Sequence, residues 1–268
     1  MAVRLTLRLL PSFGVLVAWS ASAMADEDIA NPETLIARMP AQDDAFTPAI
    51  THAAGHGAGY AVAIGGWNGA EHQTTLDVNG EVQVVGPVRL VLRVSNEFDV
   101  PRAGQSNQFD VARPAIGAAV QFLDESKHGV SSSAYFVYKA EGFTEAEGEL
   151  EGQLAFGKQL GPVHGTLNLA YGQDFDGVER DGEIALALHV EPIHGLFAGI
   201  AGRYRDSLGS NGDKSTGILQ DALGGFTATY AVGNVGISAT AGLAGVKTLT
   251  SGSMQGGAEA ALGVGAVF

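Results

Sequence analysis

The chain has 268 residues, with 15 basic and 29 acidic side chains, and its formal net charge is −14. Such an acidic protein is a poor partner for nucleic acid, because the phosphate backbone attracts basic surfaces. The sequence contains no cysteine, which excludes a disulfide framework and a thiolate metal site. It is rich in glycine, with 38 residues, and segments with a helical period are scarce, so the composition favours strands.

The first 25 residues have the three parts of a secretory signal. Arg4 and Arg8 form a basic start, residues 9–19 are mostly apolar, and a small-x-small cleavage site ends at Ala25. The apolar run is shorter than the roughly 20 residues that a membrane-spanning helix needs. We therefore predict export and removal of residues 1–25, which form no part of the fold.

Residues 26–56 lack the pattern of the rest of the chain. Pro32, Pro40 and Pro48 interrupt this segment, so that only a short helix could form in it. We interpret the segment either as a flexible periplasmic lead-in or as a plug that folds into a barrel lumen. The small residues Ala61 and Ala63, which we predict to face inward just after it, would leave room for such a plug.

From residue 57 onward, apolar and polar residues alternate in twelve segments. Because successive side chains of a strand point to opposite faces, each segment has one apolar face and one polar or small face. A length of about 8 to 12 residues suits tilted membrane strands, although a soluble sandwich would also alternate. The segments are residues 57–67, 74–85, 87–96, 113–123, 130–141, 148–158, 163–173, 182–191, 195–205, 222–232, 235–246 and 257–268.

The connections between these segments alternate in length. Short turns, such as the one at Gly86, contrast with longer polar connections at residues 96–112, 173–181, 206–221 and 247–256. Short periplasmic turns and long extracellular loops are typical of outer-membrane barrels. We therefore predict an all-β fold, in which residues 57–268 form a closed antiparallel transmembrane β-barrel of about 12 strands with short periplasmic turns and longer extracellular loops.

Aromatic residues on the apolar faces occur toward both ends of the segments. Tyr138, Tyr171 and Tyr204 lie toward the long loops, and a second group lies toward the short turns. Two girdles of this kind mark the two interfaces of a membrane. The group at the turn end comprises Tyr60, Phe122, Phe156, Tyr230 and Phe268.

The last segment carries the most specific signal. Its apolar face runs through Ala260, Leu262, Val264 and Ala266 and ends at the C-terminal Phe268. This strand resembles the last strand of Gram-negative outer-membrane β-barrels, in which a terminal Phe is the usual assembly signal. The resemblance is porin-like and covers residues 57–268, but it identifies no subfamily. It implies the bacterial outer membrane as location, and outer-membrane lipids and the barrel insertion machinery as partners.

The opposite faces supply the side chains predicted for the lumen. Acids and bases are mixed there with a slight acidic excess, and the short turns would place Glu81 beside Arg89 and Arg93, Lys139 opposite Glu151, and Glu183 opposite Arg203. Such pairs could simply fix strand register, or they could filter solutes in a narrow pore. The predicted pore-lining residues are Asp77, Glu81, Arg89, Arg93, Lys139, Glu151, Glu183, His189, Glu191, Arg203 and Arg205.

The sequence offers little support for an enzyme. A lipid hydrolase would need a Ser and a His together at the outer rim, and no motif joins His72 to a nucleophile. His52 and His56 have a metal-ligand spacing for a helix, but the glycines flanking His56 disfavour a helix. Residues 174–177 are similar to the start of a calcium loop and lack its later ligands. We predict no catalytic residues, no metal site and no cofactor.

These observations lead to two hypotheses for function. The first is a narrow passive channel for small polar solutes or ions. The alternative is a non-channel structural or surface-interaction barrel, whose lumen is closed by side chains or by residues 26–56. Conduction by the purified protein distinguishes the two.

Overall fold

The computed structural model describes residues 59–70, 73–99, 113–140, 148–175, 177, 179–208, 218–233, 235–249 and 251–267. Residues 1–25, which we predict to be a signal sequence, lie outside the described residues, as do residues 26–56 with His52 and His56, and also His72 and Phe268. Within them, no helix is long and apolar enough to cross a membrane. One short helix, α1 (Glu125–His128), is present in the described part.

The described residues form twelve β-strands in a closed antiparallel barrel. Each strand pairs with its neighbours in the chain, and the last pairs with the first. Closure leaves no strand edge, so the backbone hydrogen bonds are satisfied within the sheet, as a lipid environment requires. The strands are β1 (Gly59–Asn68), β2 (Gln73–Val85), β3 (Val88–Asp99), β4 (Arg113–Leu123), β5 (Ser131–Ala140), β6 (Gly148–Leu160), β7 (Val163–Asp174), β8 (Arg180–Ile193), β9 (Leu196–Ser207), β10 (Ile218–Val232), β11 (Val235–Thr248) and β12 (Gln255–Val267).

The predicted fold class is confirmed, and the strands extend further toward the long loops than the sequence indicated. β3 continues to Asp99, and β10 begins at Ile218 instead of residue 222. Backbone hydrogen bonds between strands need no apolar side chains. The strands therefore continue beyond the region where apolar and polar residues alternate. At the other end the turns are tight, and Gly86 and Gly195 adopt positive φ angles of 53° and 80° that other residues rarely adopt.

Side chains alternate between an apolar outer surface and a packed interior. On β8, for example, Leu186 is 50% exposed, whereas its neighbour Ala187 is only 1% exposed. Each of the twelve described strands contributes at least one large exposed apolar side chain to the outer surface. An apolar belt of this size is unstable in water and matches the hydrocarbon of a bilayer.

β1 has the opposite orientation from the one predicted. Ala61 is exposed on the outer face, while Val62 and Ile64 are buried inside the barrel. The cause lies in the neighbouring strand β12, where Gly263 leaves the space that Ile64 occupies; a Cβ on Gly263 would lie 2.9 Å from Cγ1 of Ile64. The prediction that small residues of β1 line the lumen was therefore wrong.

Aromatic residues on the outer surface agree with the predicted girdles where they are described. Tyr171 and Tyr204 are exposed toward the long loops, and Phe122 and Tyr230 are exposed toward the turns. The side chain of Tyr60 lies outside the described part of the chain, as does Phe268.

The interior contains apolar packing as well as polar groups. One cluster of buried residues lies on β3–β6 and the other on β8–β11. An interior of this kind differs from a lumen lined wholly by polar side chains. The first cluster comprises Val91, Ala119, Tyr135, Val137 and Ala155, and the second comprises Ala187, Ala201, Leu223 and Ala244.

Candidate functional site: the charged lumen

Most of the predicted pore-lining charges gather on two opposite sides of the barrel. β3 and β9 are six strands apart in a ring of twelve, so the groups around them face each other across the interior. The β3 cluster consists of Asp77, Glu81, Arg89, Arg93, Lys139 and Glu151. The β9 cluster consists of Asp181, Glu183, Arg203, Arg205 and Asp221.

Arg89 holds the turn-side part of the β3 cluster together. Its Nη1 atom lies 3.1 Å from Oε2 of Glu81, and its Nη2 atom lies 3.5 Å from Oε1 of Gln121. On the same strand, the Ser95 hydroxyl donates a hydrogen bond to Oδ1 of Asp77. Glu81 and Arg89 are therefore in contact, as predicted.

Arg93 makes a longer connection across the barrel. It was predicted to lie beside Glu81, but its Nη1 atom forms an ion pair with Oε1 of Glu151 on β6, at 3.8 Å. The residue paired with Arg93 on β4 is Ala115, whose small side chain lets the guanidinium extend past it. Lys139 lies 2.5 Å from the other oxygen of Glu151, as predicted.

Asp221 is the centre of the β9 cluster. Its Oδ1 atom accepts from Nη2 of Arg203 at 2.9 Å, and its Oδ2 atom accepts from Nε of Arg205 at 2.6 Å. Arg203 also lies 3.7 Å from Glu183, as predicted, and Arg205 lies 4.0 Å from Asp181. Asp221 itself is 0% exposed.

The sequence reasoning missed Asp221 because it assigned this residue to the loop before β10. The signal was nevertheless present in the alternation. The inward positions of β10 include Thr227, Gly225 and Leu223, and continuing the same parity by one step reaches Asp221. Extending each strand by a few residues would have identified the missing acid.

Two other predicted residues lie toward the turns. His189 is buried and is paired in register with His164, whose ring centroid lies 5.8 Å from that of Phe197. Glu191 was predicted to line the pore, but its carboxylate accepts from the backbone N–H of Gly195 at 2.7 Å. Its contacts are therefore with the β8–β9 turn.

The β4–β5 turn is ordered by a helix cap. Asp124 accepts hydrogen bonds from the hydroxyl and the backbone N–H of Ser126, at 2.7 and 2.9 Å. These bonds favour the ionised carboxylate and hold the pKa of Asp124 below its usual value. Glu125 accepts from the backbone N–H of Gln159 at 2.6 Å, which links this turn to the end of β6.

Several of the described interior side chains are almost fully buried. Glu81 is 1% exposed, and Tyr135 and Phe197 are equally inaccessible. Within the same described ranges, no group of three potential metal ligands comes together. The described interior therefore combines charged, polar and apolar side chains, several of which are buried.

No protein-family model and no curated protein matches this chain. Solved structures do match it, with little sequence identity. The NanC porin aligns at 8% identity over 77% of this chain and 98% of that chain, with a TM-score of 0.53. An outer-membrane channel from Pseudomonas putida F1 aligns at 12% identity over 79% and 96%, with a TM-score of 0.56. LpxR from Salmonella typhimurium aligns at 9% identity over 78% and 100%, with a TM-score of 0.51.

These similarities establish the class of fold. The chain has the closed antiparallel barrel of outer-membrane porins and channels, and the predicted resemblance to porin-like barrels is confirmed at the level of the fold. Because all three identities lie far below those of close relatives, no subfamily follows from them.

Proposed function

We propose that the protein is an outer-membrane β-barrel that acts as a narrow passive channel for small polar solutes or ions. The observation that carries this proposal is the presence of two clusters of acidic and basic side chains on opposite sides of the interior. Moving charges out of water costs several kcal/mol per ion, and the attraction between them offsets this cost only when the geometry of the ion pair is excellent. Apolar packing would stabilise a purely structural barrel equally well. The presence of buried charges therefore favours a polar path through the lumen.

Uncharged polar groups support the same proposal. Both polar atoms of the Asn168 amide and the hydroxyl of Thr166 are buried without a hydrogen-bond partner among the described residues. Leaving such a group without a hydrogen bond costs about 1–3 kcal/mol. Thr166 and Asn168 on β7 therefore favour contact with water or a polar solute. Flanking residues are small, with Ala155 on β6 and Ala185 on β8 opposite Asn168.

The location and partners follow from the same proposal. The exposed apolar belt would contact outer-membrane lipids, and export would depend on the signal sequence in residues 1–25. Insertion would use the barrel assembly machinery, for which Phe268 is the proposed signal. The transported molecules would be small polar solutes, and we propose no enzymatic activity.

A barrel with an occluded lumen is the second candidate. The observation that favours it is the low exposure of interior residues, together with the apolar cluster around Tyr135 and Val137. In this alternative the charges only fix strand register, and the outer loops serve structural or surface interactions. Residues 26–56 would add a plug in one version of this hypothesis.

Liposome swelling tests the proposal. The refolded protein is reconstituted into liposomes, which are diluted into iso-osmotic glycine, glucose or a trisaccharide, with protein-free liposomes as the control. A narrow channel predicts rapid swelling in glycine and progressively slower swelling as solute size increases. Swelling no faster than in protein-free liposomes, even with glycine, would favour the occluded barrel.

A further inference from the structure

The interior is filled unevenly around its circumference. In the β3 cluster, Arg93 on β3 reaches Glu151 on β6, so a side chain bridges two intervening strands. Tyr135 on β5 is also fully buried in this region. Long side chains therefore occupy the β3–β6 side of the barrel.

The wall formed by β10, β11 and β12 carries much smaller inward side chains. Most inward positions there are hydroxyl residues, alanine or glycine, and the larger inward side chains include Leu223, Val246 and Glu259. The proposed solute path would follow this wall. Its small inward residues include Thr227, Thr229, Ser238, Thr240 and Ala261.

The β9 cluster lies at the loop end of this wall. Asp221 is three residues from the start of β10 at Ile218, and Arg205 is two residues from the end of β9 at Ser207. The side chain of Arg205 is 23% exposed, whereas Asp221 beneath it is fully buried. A solute that enters from the loop side would therefore meet Arg205, and Asp221 would act through it.

The charges of the cluster nearly cancel. Two arginines face three acids, which are Asp181, Glu183 and Asp221. The two oxygens of Asp221 each bind a different guanidinium, so this one carboxylate positions both bases and offsets one of their charges. Its loss would remove the single negative charge by which acids exceed bases among these five residues.

We propose that Asp221 is a positioning residue that determines the ion preference of the channel, an inference that rests on the proposed function. By holding Arg203 and Arg205 and neutralising part of their charge, it gives the loop-side mouth a weak preference for cations. The ligand chemistry at this mouth is thus a small cation in the native protein. Neutralising Asp221 removes this preference, because the two remaining acids then balance the two arginines.

The test measures the reversal potential in planar bilayers under a potassium chloride gradient. Asp221→Asn should raise the permeability ratio of chloride over potassium about two- to fivefold at low salt, with a smaller change at about 1 M salt because of screening. Asp221→Glu, which keeps the charge, should retain the wild-type ratio. Asp206→Asn is the matched control, since it removes an equal charge next to Arg205 on the opposite face of β9.

If Asp221 had only a structural role, its substitution would alter the number of inserted channels and leave their ion preference unchanged. Heat-modifiable migration on gels shows whether each variant folds. If Asp221→Asn does not fold, Arg205→Gln provides the test in the opposite direction, toward cations. Equal permeability ratios in wild type, Asp221→Asn and Asp206→Asn would overturn this inference and leave the channel proposal standing. A silent wild type would overturn both.

Discussion

Leu186 and Ala187 show how completely one residue step changes the surroundings of a side chain in this barrel. Leu186 belongs to the outer belt, while Ala187 packs inside with Ala201 and Leu223. Alternation in the sequence predicts which of the two faces outward. It does not predict that the inward alanine is packed against apolar neighbours, because those neighbours come from other strands.

Leu186→Arg should destabilise the folded barrel by about 2–4 kcal/mol, because it places a charge in the hydrocarbon near the middle of β8. The free energy of unfolding is obtained from urea titrations of the protein refolded in lipid vesicles. Leu186→Phe is the matched control and should remain close to wild type. Equal stability of the Arg and Phe variants would mean that this face does not contact lipid.

At the scale of elements, the sequence predicted every strand of the described barrel, and its errors occurred at strand ends and on β1. Asp221 was missed because the polar end of β10 has the composition of a loop. Val62 and Ile64 were assigned to the outer face because large apolar residues usually face lipid in such barrels. Their inward position depends on the glycines of β12, a contact between opposite ends of the chain.

The wall of β12 gives a test of the proposed path. Ala261 faces inward and Ala260 faces outward on the same strand. Ala261→Trp should lower single-channel conductance several-fold because an indole would extend from this wall into the proposed path, whereas Ala260→Trp should leave it unchanged. Equal conductance of the two variants would place the path elsewhere.

The α1 turn gives a pH-dependent prediction. Because hydrogen bonds from Ser126 lower the pKa of Asp124 in the folded state, its contribution to stability is present above its ordinary pKa of 3.8 and is lost as the pH falls further. Asp124→Ala should therefore be less stable than wild type at about pH 7, and the difference should shrink at a pH well below 3.8. Urea titrations at both pH values measure it. A difference that persists unchanged in acid would contradict this assignment.

At the scale of the whole molecule, the sequence indicates the architecture better than the contents of the lumen. Neighbouring pairs such as Glu81 and Arg89 lie on strands joined by a short turn, so they were predictable. The ion pair of Arg93 with Glu151 depends on barrel curvature, which brings strands together that are distant along the sheet. No local pattern encodes that curvature, so the filling of the interior could not be predicted.

Assembly of the whole barrel should depend on its C-terminal residue. Deleting Phe268 should reduce the amount of heat-modifiable protein in outer-membrane fractions and leave aggregate in the periplasm, because it removes the proposed assembly signal. Phe268→Tyr keeps an aromatic terminus and should assemble nearly as well as wild type. Undiminished assembly of the deletion variant would contradict a role for Phe268.

Single-channel recording of the purified, refolded wild-type protein in a planar bilayer measures most directly whether the lumen conducts. A narrow passive channel predicts small, discrete current steps in potassium chloride that are absent from bilayers without protein. It also predicts that the current depends on salt concentration, as expected for ions that pass charged walls. Bilayers that contain folded, heat-modifiable barrel and remain silent would contradict the channel and establish the occluded barrel in its place.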